Sequence, residues 1–547
     1  MGNMLFLGLG MLSMSFMFFM HYLYLKKNIF IMEYSLSNFW SIELSMIYYF
    51  DWMSMFFLSV VLFISSMVMM YIKGYMSEDK NLKKFYWLVV FFILSMLMLI
   101  LSMNLFWLIV GWDTLGVFSY LLIIYYQSMA SMNSGLVTIL INRLGDVSLI
   151  LAMVMMMKEG ILDFMSKTLS FNMLILLMIS SVTKSSQYPF SVWLPKAMAA
   201  PTPVSALVHS STLVAAGVYL VIRMDGVGGN SGMLMIVMMT MLISSMMANV
   251  ESDLKKIIAM STMSQLSFMF FVIYLNKISL AYFHMLIHAL FKSLMFLCAG
   301  VIIHYKSGDQ DIRNMGILSK ILPNIFLSLN LSVMCLCGML FFSGYFSKDK
   351  IIECMVYSGG GIFIYLFVYF SVGMTVMYSM RVMYYSNYLM ILSSSGMVYK
   401  ESVSNSMEMS ILSLFFFSIW SGYLYMNMYM ELAYILVKSV KIFLLMNLFL
   451  FFLLYMISNI KWMKITIFLK FFGNMFFLKF LYSNFIYLYL KFGEWMWFNI
   501  DKGLMMKLIV LDLILMIKSS LKNFEMVYKS SGLMYLYYSL FLYFFII

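Results

Sequence analysis

The chain has 547 residues, of which 64% are hydrophobic and only 11% charged, against about 45–50% apolar and about 25% charged in a soluble domain. That balance excludes a soluble fold, and no polar stretch is long enough to form an extramembrane domain. The formal charge of +12 comes from lysines in short links such as Lys26-Lys27, Lys80 to Lys84 and Lys255-Lys256, which anchor helix ends among lipid headgroups rather than mark a nucleic-acid surface.

In chain order, apolar runs near the roughly 20 residues that cross a bilayer recur from end to end. Three spans are expected in residues 4–73, then a charged link at 78–84. Further spans are expected at 85–103, 104–126, 134–157, 170–190, 203–223, 232–249, 255–275, 279–304, 322–345 and 360–382, with two more around 408–457. Over 461–525, lysines punctuate apolar stretches without a clean span, the pattern of an amphipathic helix lying along a membrane surface; irregular spans with snorkelling lysines are the alternative. A last apolar segment, 533–547, re-enters the bilayer on this reading. All told, about fifteen or sixteen transmembrane helices are expected.

Arginine occurs only at Arg143, Arg223, Arg313 and Arg381, among 35 basic residues, while methionine numbers 65 and phenylalanine 51. Methionine as filler for irregular cores explains apolarity but not the scarcity of arginine. An AT-rich genome that reads ATA as methionine, as animal mitochondria do, explains both. The opening apolar helix, in place of an Arg/Ser-rich presequence, fits synthesis inside the organelle. The four cysteines, Cys298, Cys335, Cys337 and Cys354, form no CxxC pair and read as small core residues.

Four of the five prolines crowd 187–203. Inside a helix Pro189 frees the carbonyl of Ser185, and Pro195 that of Ser191, so this segment is expected to be a helix break with a hydrated interior.

Ionisable groups inside spanning helices are expensive, and each is a functional candidate. Asp113 is the one charged residue of 106–126. Arg143 and Asp146, three residues apart on one helical face, form either an ion pair that orients helices or part of a transport path. Lys184 precedes Pro189 in an otherwise apolar span. His209 follows the prolines among Ser205, Ser210, Ser211 and Thr212, either as a proton carrier or as a hydrogen-bonded structural histidine. His284, His288 and Lys292, spaced i, i+4, i+8, share one helical stripe; HxxxH without the glutamate of HExxH is a poor zinc site, and no metal is expected. Lys348 and Asp349 close a span containing Gly338 and Gly344, and serve either transport or capping at its interface. Histidine titrates near neutrality, and a lysine moved into apolar surroundings holds its proton less tightly. These residue types therefore suit proton transfer.

The stretch 181–223, SVTKSSQYPFSVWLPKAMAAPTPVSALVHSSTLVAAGVYLVIR, closely resembles the signature of the subunit-5 family of NADH dehydrogenase. GWDTLGVFSYLLI (111–123), NRLGDV (142–147), DLKKIIAMSTMSQLSFM (253–269), HMLIHALFKSLMFLCAG (284–300), QDIRNMG (310–316) and SGYFSKD (343–349) extend the resemblance over roughly 104–385. The resemblance implies an all-α polytopic membrane protein, with two inverted five-helix repeats containing broken helices and a C-terminal lateral amphipathic helix. It implies a proton-translocating subunit of respiratory complex I in the mitochondrial inner membrane. Its expected partners are other membrane-arm subunits, especially a neighbouring antiporter-like subunit, together with lipid.

Carried over by position, Asp113, Lys184, His209, His284, His288, Lys292, Lys348 and Asp349 are the implied proton path. Aspartate at 113 replaces the family's frequent glutamate. Cys337-Gly338-Met339-Leu340-Phe341 lacks the frequent proline of CGMPF, so the second break has to rest on Gly338 or Gly344. The expected organisation is 1–103 N-terminal helices, 104–385 antiporter-like core, 386–460 C-terminal helices, 461–528 lateral helix and 529–547 terminal anchor. The sequence offers no nucleotide-binding glycine fingerprint or iron-sulfur cysteine set. No cofactor is expected on this chain, and FMN, iron-sulfur clusters, NADH and ubiquinone are implied for other subunits. The rival reading is the large subunit of a multisubunit sodium/proton antiporter.

Overall fold

The computed structural model describes residues 2–39, 42–158, 170–224, 231–315, 318–357, 361–387, 404–428, 446–447, 449–455, 478–500, 502–503 and 511–528. The chain forms two units, Met1–Phe476 and Phe477–Ile547.

The first unit begins with helix α1 (Gly2–Lys26), an antiparallel hairpin of β1 (Phe30–Phe39) and β2 (Ile42–Phe50), and helix α2 (Trp52–Tyr75). The expected middle span of residues 4–73 is thus a hairpin. Its apolar residues are interrupted by Glu33, Ser35, Ser37, Asn38 and Glu43, so no apolar run between α1 and α2 reaches a membrane-crossing length, and the aromatic and β-branched residues pair as strands instead. Asp51 stops the hairpin and starts α2 through a capping box with Ser54.

Next come α3 (Leu82–Leu101), α4 (Leu105–Ile123), α5 (Met129–Lys158), α6 (Phe171–Lys184) and the short α7 (Trp193–Ala197). A continuous span, Thr202–Arg223, consists of α8 (Thr202–Val204), a π-helical segment Ser205–Thr212 and α9 (Leu213–Arg223). It is followed by α10 (Ser231–Ala248), α11 (Leu254–Tyr274), α12 (Ile278–Tyr305), α13 (Leu318–Ile321), α14 (Pro323–Cys337), α15 (Ser343–Tyr357), α16 (Ile362–Asn387) and α17 (Asn405–Met428). Among the described residues, 10 helices are long and apolar enough to cross a membrane, and three shorter apolar ones, Phe171–Lys184, Gly232–Ala248 and Pro323–Cys337, join them. Of the two spans expected around 408–457, α17 is described, and of the other the helical residues 446–447 and 449–455; residues 429–445, 448 and 456–457 lie outside the described set.

Burial orders the bundle. The most apolar windows of α12 and of Thr202–Arg223 are 100% buried, against 11% for α1. Helices apolar on every side belong in such a centre. Around α12 pack α2, α11, α14, α15, α17 and the π-helical segment, so the His/Lys stripe of α12 lies on the axis of the bundle.

In the second unit are α18 (Leu478–Met496) and α19 (Asp512–Tyr528). On α19, Leu513, Ile517 and Leu521 share an i, i+4, i+8 row, with Lys518 and Lys522 offset from it. Residues 461–477, 501 and 504–510 of the expected lateral helix, and the expected anchor 529–547, lie outside the described residues.

Candidate functional site

Lys184 is the last residue of α6 and is fully buried. The helix stops there because Ser186 takes a left-handed φ of +54° and Pro189 follows. Two carbonyls at the break find protein donors: Trp193 Nε1 donates to Thr183 O at 3.0 Å, and Gln187 Nε2 to Ser185 O at 3.2 Å. Thr240 in turn donates to Gln187 Oε1 at 2.7 Å. The expected hydrated interior is thus, at these carbonyls, a protein-satisfied break. Pro195 sits inside α7, on the far side of it.

The ammonium of Lys184 donates to the main-chain carbonyl of Trp112 at 2.8 Å and stands 4.5 Å from the centre of the Trp112 indole. Asp113, next along α4, turns to Arg143, whose Nη1 lies 3.2 Å from Asp113 Oδ2 and 3.3 Å from Asp146 Oδ2. The i, i+3 pair of the sequence is therefore a three-member bridge between α4 and α5. The charges of Asp146 and, more weakly, Asp113 reach Lys184. Asp113 Oδ1 and Asp146 Oδ1 have no protein donor. Gly145 leaves room for the Thr183 hydroxyl, which contacts the place a side chain would fill, and so lets α5 approach α6.

His209 lies in the π-helical segment, with the Trp193 ring edge-on at 6.1 Å and no protein partner on either imidazole nitrogen. Ser211 and Thr212 donate back to Leu207 O at 2.9 and 2.8 Å, and Ser210 to Ala206 O. Hydroxyls that bond the preceding turn loosen α-helical geometry, and π segments concentrate at functional sites.

The second group surrounds α12. His284 places Nε2 3.3 Å from Gln265 Oε1 and Nδ1 2.9 Å from Ser347 Oγ. His288 Nε2 has no protein partner. Lys292 donates to Ser261 Oγ. Lys348 is 2% exposed and donates to Thr375 Oγ1 at 2.9 Å and to Leu336 O at 3.4 Å. Its side chain is buried between α15, which carries it, and the end of α14, whose Leu336 carbonyl it caps. Asp349 adds its charge beside it.

The chain turns between α14 and α15 on glycine. Gly338 has φ +81°, a conformation in which glycine carries no steric penalty. At Gly344 the backbone meets the Cys335 carbonyl where a side chain would stand.

The structure thus gathers the sequence candidates into two groups, one around Lys184 and one around Lys292 and Lys348, with His209 on the intervening span. Trp112, Ser261, Gln265, Ser347 and Thr375 are the polar partners that sequence reasoning missed. As neutral residues in apolar helices they carry no charge signal, and only Gln265 stands out by type.

A family described as the NADH:quinone oxidoreductase/Mrp antiporter transmembrane region matches residues 102–377, and one described as the N-terminus of complex I chain 5 matches residues 31–86. NADH-ubiquinone oxidoreductase chain 5 of Aedes aegypti is 47% identical over 371 residues, covering 65% of this chain and 64% of that one. The match therefore spans just under two thirds of the mosquito protein. The chain 5 protein of Locusta migratoria is 40% identical over 478 residues, 83% of each chain. Among solved structures, the Mrp complex from Dietzia sp. DQ12-45-1b has a chain of similar fold, with TM-score 0.76 at 22% identity, covering 90% of this chain and 57% of that one. On these matches the chain belongs to the NADH-ubiquinone oxidoreductase chain 5 family.

Proposed function

We propose that this chain is a proton-translocating membrane subunit of respiratory complex I in the mitochondrial inner membrane. Its buried lysines, histidines and carboxylates move protons, driven by electron transfer from NADH to ubiquinone in partner subunits. One observation carries the reading: Lys184 is fully buried at a helix break, held by a carbonyl and an indole face. A lysine locked to a carboxylate keeps its charge. A lysine held by neutral groups, with the charges of Asp146 and Asp113 within reach, is free to give up its proton.

The two interrupted pairs, α6–α7 and α14–α15, support two inverted repeats, each with a broken helix. FMN, iron-sulfur clusters and the sites for NADH and ubiquinone are assigned to other subunits on this reading.

Arg143 and Asp113 also speak for a partner. Their side chains are 45% and 34% exposed on the outer face of α4 and α5, where lipid would be a costly neighbour for a charge. A neighbouring antiporter-like subunit covers this face in the proposed assembly. The sodium/proton antiporter reading shares the transmembrane family match and the fold, but the chain 5 relatives and the chain 5 N-terminal match favour complex I.

The test is Lys184→Met in the assembled complex in sealed vesicles, with the amount of complex measured independently. NADH-driven proton translocation is expected to be lost; wild-type translocation would overturn the proposal.

A further inference from the structure

The buried end of α2 meets the start of the His209 span at a point outside the groups described above. Tyr71 and Tyr75, one turn apart on α2, stack at 5.5 Å, and both hydroxyls come within reach of Thr202. Tyr71 and Thr202 are fully buried, yet neither Tyr71 Oη nor Thr202 Oγ1 closes a hydrogen bond of ordinary geometry. Two buried hydroxyls left in this condition are uncommon and call for an explanation.

Gly300 of α12 makes their meeting possible. A Cβ built on it would stand 2.5 Å from Tyr71 Oη and 2.6 Å from Thr202 Oγ1, so any side chain there would occupy the space the two oxygens share. Outward, the Tyr75 ring lies 5.3 Å from that of His304, and the charge of Asp79 reaches Tyr75. Inward, Thr202 opens the same span that carries Ser205 and His209. Ser205 donates to Thr202 O at 2.8 Å, and both His209 nitrogens are without a protein partner. Hydroxyls thus gather between the end of α2, near Asp79 and His304, and the start of the span that carries His209.

We propose that Tyr75, Tyr71 and Thr202, meeting over the Gly300 cradle, are a proton relay between that end of α2 and the span that carries His209. Each hydroxyl takes a proton on a lone pair and releases its own to the next oxygen, so one O–H bond forms as another breaks and no relay group keeps a charge. His209, farther along the span, accepts a proton at one ring nitrogen and releases one from the other, so it too keeps no charge. The relay rests on the proton-translocation reading and adds Tyr71, Tyr75 and Thr202, with Gly300, to it.

The experiment compares Thr202→Val, Thr202→Ser, Tyr75→Phe and Gly300→Ala with Lys184→Met in the assembled complex in sealed vesicles, scored per assembled complex. Thr202→Val keeps the shape and removes the hydroxyl. The expected result is loss of NADH-driven proton translocation in Thr202→Val and Tyr75→Phe, with Thr202→Ser near wild type; a packing role would not be rescued by the smaller serine. Gly300→Ala should reproduce the loss, and if it fails to assemble, the threonine and tyrosine variants decide alone. Wild-type translocation in both Thr202→Val and Tyr75→Phe, with Lys184→Met inactive, would overturn the relay and leave the pump reading standing. If Lys184→Met were also unaffected, both would fall.

Discussion

The ammonium of Lys184 is bound by the backbone carbonyl of Trp112, 2.8 Å away, and not by the carboxylate of Asp113, the next residue on the same helix. A backbone carbonyl cannot be titrated, so it orients the lysine without fixing its charge. The carboxylates act at longer range, through a bridge whose third member, Arg143, stays charged in essentially any protein environment. Changing how Arg143 is shared between Asp113 and Asp146 changes the field at Lys184 while the lysine keeps its position.

That arrangement ranks the two acids. Asp146 has a side chain 7% exposed against 34% for Asp113, and its charge weighs more on Lys184. Asp146→Asn should therefore lower proton translocation at least as far as Asp113→Asn, by roughly tenfold if about 1.4 kcal/mol of charge coupling is lost. Proton uptake by reconstituted complex checks the order. A near-normal Asp146→Asn beside an inactive Asp113→Asn would contradict it.

Trp112 supplies a second, separable contact. Trp112→Leu keeps the carbonyl and removes the indole face, a loss of about 2 kcal/mol for a desolvated cation–π contact. Translocation should fall by roughly 30-fold or less, short of the loss in Lys184→Met. Equal loss in the two variants, at equal assembly, would mean that the indole does more than hold the ammonium.

At the second break the two glycines should behave differently. Gly338→Ala forces alanine into a left-handed conformation, at about 1–2 kcal/mol, and should lower the amount of assembled complex slightly. Gly344→Ala drives a methyl group into the Cys335 carbonyl and should prevent assembly at ordinary temperature. The quantity of complex after mild solubilisation measures both.

The Asp51–Arg223 bridge predicts an acid-dependent weakness. Arg223 donates to both Asp51 oxygens, at 2.6 and 2.7 Å. Burial alone would raise the Asp51 carboxyl, but the hydrogen bonds and charge of Arg223 outweigh it and hold the group below its ordinary range. A lowered folded-state value means that the bridge contributes fully above the usual carboxylate range and is lost as acidification passes the lowered value. Asp51→Asn should remove this dependence and leave Arg223 buried beside a neutral amide, at about 3–5 kcal/mol. Thermal stability of the solubilised complex, compared for wild type and variant from neutral to acid pH, should converge at the acid end.

Much of this was legible in the residues. Apolar length and the i, i+4, i+8 spacing of His284, His288 and Lys292 suffice to lay a titratable stripe on one helix, and the prolines around 189 suffice to interrupt another. Three features were not. Residues 30–50 are apolar enough to suggest a span, and their strand pairing emerges only because Glu33, Asn38 and Glu43 interrupt the run. The partner of Lys184 is a backbone carbonyl, which every residue has and no sequence pattern marks. The meeting of Tyr71, Thr202 and Gly300 joins three distant segments whose members are each unremarkable alone, since a glycine in an apolar helix reads as packing until its neighbours are known.

The decisive experiment separates charge from titration at Lys184. Lysine loses its proton when the surroundings favour the amine, whereas arginine remains protonated in essentially any protein environment. If Lys184 served only as a fixed positive charge over Trp112 and opposite Asp146, Lys184→Arg would preserve much of the turnover, since guanidinium also donates to a carbonyl and stacks on an indole. If the side chain sheds and regains a proton in each cycle, arginine fails almost as badly as methionine, by about 100-fold or more for a lost positioned proton transfer. The larger guanidinium must fit where Lys184 is fully buried, so the amount of assembled complex and electron transfer to an artificial acceptor are measured in the same preparation. Assembly near wild type, with proton translocation lost in both variants, is the expected outcome. Near-normal translocation by Lys184→Arg would remove Lys184 from the set of groups that carry the proton.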